Sequence, residues 1–267
     1  MLKILAAVTA AILLFFAPVI QAQNMPAEWG QEGVHGFQDD FSGSVLNPDW
    51  VWRSGDGNQP NYVMSEGVLA FRTVNGDPNH LLYIPDAPLS DYGNDRQQEV
   101  LMRIRITDFA TSGDYPRAGA AVAIDPNHSS GYNFHFRIDG GNEHFRMLDD
   151  GAAWGTSLDR PWTTGEWYWL RLKYDVTGVY GKVWEADGVA EEPDAWVVWD
   201  RPNERTGYAG IAATSREGLS AFEVDYILIK SASLPEITVG GHLTSEVPEP
   251  ATMTLLALGG LALRRRK

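Results

Sequence analysis

Residues 166–174 read Glu-Trp-Tyr-Trp-Leu-Arg-Leu-Lys-Tyr, and this stretch decides the fold class. Tyr168, Leu170, Leu172 and Tyr174 alternate with Trp167, Trp169, Arg171 and Lys173. Successive side chains of a strand point to opposite faces, so the spacing predicts one buried face and one solvated face. The same period recurs upstream. In 97–109, Val100, Met102, Ile104 and Ile106 alternate with Glu99, Leu101, Arg103 and Arg105. In 131–139, Tyr132, Phe134, Phe136 and Ile138 alternate with Asn133, His135, Arg137 and Asp139. Turn chemistry separates such runs: Ser54-Gly55-Asp56-Gly57, Asn75-Gly76-Asp77-Pro78, Asp139-Gly140-Gly141-Asn142, Asp149-Asp150-Gly151 and Asp187-Gly188. Between the two ends of the chain no long stretch carries a 3.6-residue apolar stripe. Many short strands without helices predict an all-β domain of two packed antiparallel sheets over residues 37–230.

Composition agrees and narrows the function. The 267 residues hold 21 Lys and Arg against 35 Asp and Glu, a net charge of −14. Without residues 1–22 and 247–267, 16 cations and 34 anions remain, a net charge of −18. Binding to phosphate backbones needs a basic face, so a nucleic-acid partner is excluded. All ten Trp and ten Tyr lie in this middle portion and supply material for a core. The chain has no Cys, which removes disulfides, thiolate nucleophiles and Cys-ligated metal centres.

Both ends carry address information. Residues 1–22, MLKILAAVTAAILLFFAPVIQA, combine a cation at Lys3, an apolar run from Ile4 to Phe16 and a helix-breaking Pro18. That order is a secretory signal peptide with a cut expected after Ala22. Residues 23–36 form a short lead, and residues 231–246, SASLPEITVGGHLTSE, have no sustained pattern and are expected to be a linker. Residues 247–267 begin Val247-Pro248-Glu249-Pro250, continue through an apolar run from Ala251 to Leu263, and end on Arg264, Arg265, Arg266 and Lys267. At ~1.5 Å per helical residue the apolar run reaches roughly 20 Å, short of a ~30 Å hydrocarbon core. A single marginal transmembrane helix is expected, with its basic end cytoplasmic. This three-part tail resembles the PEP-CTERM protein-sorting signal. The resemblance implies an exosortase partner, cleavage near Pro-Glu-Pro, transient membrane insertion and delivery to the cell surface or extracellular polysaccharide matrix.

A second resemblance covers the middle. The opening FQDDFSGSVLNPDWVW with Glu66-Gly67-Val68-Leu69, and the later GEWYWLRLKYDVTGVYGKVWEADG, EEPDAW, GYAGI and FEVDYILIK, resemble concanavalin A-like lectin/glucanase (laminin-G-like) domains. The similarity implies a jelly-roll sandwich. It implies no single activity, because folds host many functions.

Candidate chemistry follows from residue types. Glu223 and Asp225, at i and i+2, share a strand face with ~6.5–7 Å of backbone rise between them. Retaining glycosidases hold two carboxyl groups ~5–5.5 Å apart. Laminarinase-type enzymes of the resembled superfamily carry a second Glu soon after such a Glu-x-Asp, and here Tyr226 to Lys230 contain none. Catalysis therefore rests only on Glu223 and Asp225, and a secreted polysaccharide hydrolase or lyase is the alternative to a binding protein. His135 and His144 stand among scattered histidines without a zinc motif. Calcium is a candidate cofactor, since Asp39, Asp40, Asp56, Asp77, Asp125, Asp149 and Asp150 lie near predicted turns. Aromatic rings stack on the C–H faces of sugars, and Arg and amides meet their hydroxyls. If the strands carrying them are neighbours, Arg103, Arg105, His135, Arg137, Trp169 and Arg171 compose a carbohydrate-binding face that requires Trp169 to be exposed.

Overall fold

A computed structural model describes residues 36–54, 61–73, 79–85, 97–109, 117–128, 130–200, 203–214 and 220–233. The expected signal peptide, nearly all of the lead, the linker beyond residue 233 and the sorting tail lie outside the described residues. The described residues hold fifteen strands and no helix, and all pairings between the strands are antiparallel.

Two sheets result. Sheet A runs β13 (Val197–Trp199), β12 (Gly178–Glu185), β11 (Trp167–Asp175), β6 (Gln98–Phe109), β15 (Ser220–Ser231), β4 (Val68–Thr73) and β3 (Asn61–Ser65). A short β1 (Phe37–Asp39) pairs with the later part of β15. Sheet B runs β10 (Ala153–Leu158), β9 (Asn142–Asp149), β8 (Tyr132–Asp139), β7 (Arg117–Ile124), β14 (Tyr208–Thr214), β5 (Asn79–Tyr83) and β2 (Trp50–Ser54). The expected two-sheet sandwich is therefore the observed architecture; β7 to β10 follow one another in sheet B, β3 to β4 and β11 to β13 do so in sheet A, and the chain crosses between the sheets elsewhere.

The inward faces make one core. From sheet A come Val100, Met102, Ile104, Leu170, Leu172, Phe222 and Val224, and from sheet B come Phe134, Phe136, Phe145, Met147 and Ile211. Ala118 and Ala120 on β7 give the small surface against which these large side chains interdigitate. Gly181 serves the same end on β12, because a Cβ there would stand 2.8 Å from Cδ1 of Phe134. Each fully buried Phe or Leu contributes about 1.5–3 kcal/mol of transfer free energy. Asp139-Gly140-Gly141-Asn142 closes the β8–β9 hairpin with Gly140 at φ 57° and Gly141 at φ 84°. Two successive positive φ values match the twist of a two-residue hairpin, and they suit glycine.

The outward faces depart from expectation. Period-2 alternation predicted a solvated second face, yet on the outer face of sheet A Glu99, Leu101, Trp169, Arg171, Tyr226 and Lys230 are buried. Ion pairing explains how charged residues tolerate this. Lys230 donates to Glu99 at 2.8 Å, Glu99 meets Arg171 at 3.3 Å, Arg171 meets Glu192 at 3.0 Å, and Glu192 accepts from Lys182 at 3.0 Å. The five charges alternate in sign along the chain of contacts, and each side chain is 7% exposed or less. Glu192 belongs to the segment between β12 and β13, so the network fastens that segment across the sheet.

Removing one member of a buried ion pair costs far more than the pair gains, because a charge is left in low dielectric. Glu99→Gln takes the carboxylate from between two buried cations. It should lower the unfolding free energy by about 3–5 kcal/mol in denaturant titrations.

Candidate functional site

The six residues expected to share a face divide between the sheets. Arg103, Arg105, Trp169 and Arg171 lie on the outer face of sheet A, while His135 and Arg137 lie on the outer face of sheet B. Parity placed each outward correctly, but β8 is not a neighbour of β6 or β11 in either sheet. Trp169 is only 4% exposed, packed between Trp184 at 6.4 Å and Tyr226 at 6.2 Å. The expectation that it stands open to a ligand is overturned.

The sheet A cluster satisfies its own charges. Pairing of β15 with β6 shifts between Val224 and Tyr226. Asp225 is the inserted residue of this bulge. Phe222 and Val224 face the core before the bulge, and Ile227 and Ile229 face it afterwards. The bulge thus turns both Asp225 and Tyr226 outward. Arg103 donates to Asp225 at 2.8 Å, and Arg105 is ion-paired with Glu223. Trp167 lies against both guanidinium groups, 4.8 Å from that of Arg103 and 4.6 Å from that of Arg105. Glu223 and Asp225 are therefore each bound to an arginine. Asp225 Oδ1 is buried without a hydrogen-bond partner. Burial outweighs the attraction of Arg103 and raises the Asp225 carboxyl to about 6.

Sheet B carries a different constellation, centred on Trp154 of β10. Trp154 is 40% exposed as a residue. The guanidinium of Arg137 lies 3.9 Å from its ring centroid, that of Arg146 4.9 Å and that of Arg117 5.5 Å. His135 meets the same ring edge to face at 6.1 Å. Cross-strand register assembles the group: Arg137 pairs with His144, and His135 pairs with Arg146. The exposed Trp154 reaches across from the edge strand, where it pairs with Leu148.

Beside this ring lies a buried carboxylate. Asp150 accepts from Arg117 at 2.7 Å and from the Asn133 amide, and His80 Nε2 stands 3.2 Å away. Burial pushes its carboxyl up, but Arg117 and His80 outweigh that and hold it below the usual range. His135 is fully buried, and both its ring nitrogens lack hydrogen-bond partners. Burial first, and then the surrounding arginines, hold its pKa well below the ordinary value, so the imidazole is neutral at neutral pH. Burial also lowers Arg137, with Asp139 opposing at 3.3 Å.

The turn aspartates are engaged by protein groups. Asp39 accepts from the Trp50 indole and the Phe41 amide, Asp40 caps Ser42, and Asp125 accepts from the Asn127 amide. Asp149 forms a two-pronged pair with Arg205. Asp56 and Asp77 lie outside the described residues. Among the described residues no group of three or more His, Asp or Glu is arranged to hold a metal.

Sequence reasoning missed Trp154, Arg117 and Arg146, and it named Asp150 only as a turn aspartate for calcium, whereas the structure pairs it with Arg117 and His80. Arg146 was within reach, because a two-residue turn at Gly140-Gly141 sets it opposite His135. Trp154 was not: β10 carries no apolar alternation, and its register with β9 shifts between Trp154 and Ser157.

Comparison with known proteins bears on the tail and on the fold. Residues 246–267 match the PEP-CTERM protein-sorting motif, which marks the chain for export to the cell envelope. No curated protein matches the chain. Among solved structures, the xylan β-1,4-xylosidase of Bacillus halodurans C-125 aligns with TM-score 0.52 at 13% identity, over 78% of this chain and 41% of the enzyme. The CBM2 module of the evolved Dit of Lactobacillus casei BL23 phage J-1 aligns with TM-score 0.51 at 9% identity, over 75% of this chain and 96% of the module. The GH43 protein BlXynB of Bacillus licheniformis aligns with TM-score 0.50 at 13% identity, over 75% of this chain and 40% of that protein. These likenesses establish a shared β-sandwich fold, of the kind found in carbohydrate-binding modules and glycoside hydrolases.

Asp225 supplies a measurable consequence. Its pKa is raised in the fold, so the folded state binds this proton more tightly than the unfolded chain does. The stabilisation from Asp225 should be complete below about pH 4 and lost as pH rises through about 6. Carboxyl carbon shifts followed by NMR should titrate near pH 6 for Asp225; a midpoint near 4 would show that the Arg103 pair dominates.

Proposed function

We propose that this exported protein binds carbohydrate at the cell surface through the outer face of sheet B, without cleaving it. The carrying observation is Trp154, 40% exposed and surrounded by the guanidinium groups of Arg117, Arg137 and Arg146. An open indole offers the apolar platform on which a pyranose ring stacks, and the surrounding donors match its hydroxyls. Arginine packed against the ring holds it in place by cation–π attraction.

Carboxylate placement favours binding over hydrolysis. A retaining glycosidase needs one carboxylate free as nucleophile and a second as acid. Glu223 and Asp225 are each engaged by an arginine, and Asp150 is buried under Arg117 and His80. Each of the three is held by an arginine rather than free.

The sorting motif supports a life history for the protein. The N-terminal signal directs export, the apolar segment from Ala251 to Leu263 pauses in the membrane, and an exosortase cuts near Pro248-Glu249-Pro250. The sandwich is then released to the surface or the surrounding matrix. Calcium has no support from the described geometry and is not part of this proposal.

Two measurements test the reading. Trp154→Ala should weaken binding to a glycan identified on an array by roughly tenfold or more, the scale of losing one aromatic platform of about 1–3 kcal/mol. Unchanged affinity would remove the site. Intact mass of the natively exported protein should lack residues 251–267; their retention would instead make the tail a permanent anchor.

A further inference from the structure

The two outer faces treat their arginines differently. On sheet A, Arg103, Arg105 and Arg171 each meet a carboxylate within 3.3 Å. On sheet B, Arg117 meets Asp150 at 2.7 Å, and Arg137 meets Asp139, whose side chain is 46% exposed, at 3.3 Å. Arg146 has no carboxylate partner among the described residues, and its Nε is buried without a hydrogen bond. Among the described residues, then, Arg117 and Arg137 near the Trp154 ring each meet a carboxylate, and Arg146 meets none.

His135 adds an independent observation. It is fully buried beneath this cluster with neither ring nitrogen hydrogen-bonded. A buried imidazole normally finds a partner, since desolvating its polar nitrogens without one costs free energy. The three guanidinium groups around Trp154, in a chain whose net charge is −14, concentrate positive potential at one place. Such a place attracts an anion and repels none of the ligand's neutral parts.

Resting on the carbohydrate-binding reading above, we infer that the ligand is an acidic polysaccharide, with a uronate carboxylate received at Arg146 beside Arg117 and Arg137 and the sugar ring laid against Trp154. A planar carboxylate accepts two parallel hydrogen bonds from a guanidinium fork, and an uncharged hydroxyl does not. The rest of the surface, being acidic overall, would repel the same polymer, so attachment is confined to the patch.

Titration calorimetry of the exported protein tests this with three probes: polygalacturonate, the same polymer with its carboxyl groups reduced to alcohols, and a neutral β-glucan. Polygalacturonate should bind at least tenfold more tightly than its reduced form. Its affinity should fall steeply as salt rises from 50 to 300 mM, on the order of tenfold, because exposed charge pairs are screened. Arg146→Gln, at a half-buried position without a carboxylate to orphan, should weaken polygalacturonate binding about tenfold and weaken binding of the reduced polymer by a clearly smaller factor, since that polymer keeps only hydroxyl contacts to lose. Equal affinity for the acidic and reduced polymers, or an unaltered R146Q, would overturn the acidic-ligand inference while leaving the carbohydrate site standing if Trp154→Ala weakens both. Binding of none of the three would overturn the carbohydrate reading itself.

Discussion

Compensation of buried arginine is the constraint on which this structure depends. A guanidinium withdrawn from water must find an acceptor or an aromatic face, because it stays charged at any physiological pH. Sheet A meets that demand within the fold. Glu99, Glu192, Glu223 and Asp225 neutralise Arg171, Arg105 and Arg103, and Trp167 packs against two of the guanidinium groups. Sheet B meets it with one buried carboxylate, one largely exposed carboxylate and one indole. The same residue type is held by carboxylates on one face and by carboxylates and an indole on the other.

The bulge at Asp225 shows how backbone geometry serves this end. Without it, continued alternation after Val224 would turn Tyr226, Leu228 and Lys230 toward the core and Ile227 and Ile229 away from it. One inserted residue reverses the phase. Lys230 then reaches Glu99, Ile227 and Ile229 reach the core, and Asp225 takes its place opposite Arg103. A single irregularity in β15 thereby connects apolar packing to the charge network above it.

The sandwich also explains why a carboxylate-rich chain need not be a hydrolase. An acid and a nucleophile require free, adjacent carboxyl groups. Here Glu223, Asp225 and Asp150 hold arginines, and Asp39, Asp40 and Asp125 accept bonds within turns. The fold shared with glycoside hydrolases and binding modules is compatible with either activity, so function must be argued from side chains.

Strand identity, the antiparallel sandwich, the export address and the outward direction of each polar residue were legible in the sequence. These depend on local rules: period-2 alternation, turn chemistry at Gly140-Gly141 and the order of the Pro-Glu-Pro, apolar and basic segments in residues 247–267. Sheet membership was not legible. His135 and Trp169 obey the same alternation, yet they stand on opposite outer faces, because long-range pairing assigns β8 to sheet B and β11 to sheet A. Exposure was not legible either. Trp169 and Trp154 are both outward-pointing tryptophans, but neighbours 169→184 and 169→226 pack over the first, while an edge strand leaves the second 40% open. Parity is a property of one strand; burial and compensation are properties of everything packed around it, and only the tertiary structure brings those groups together.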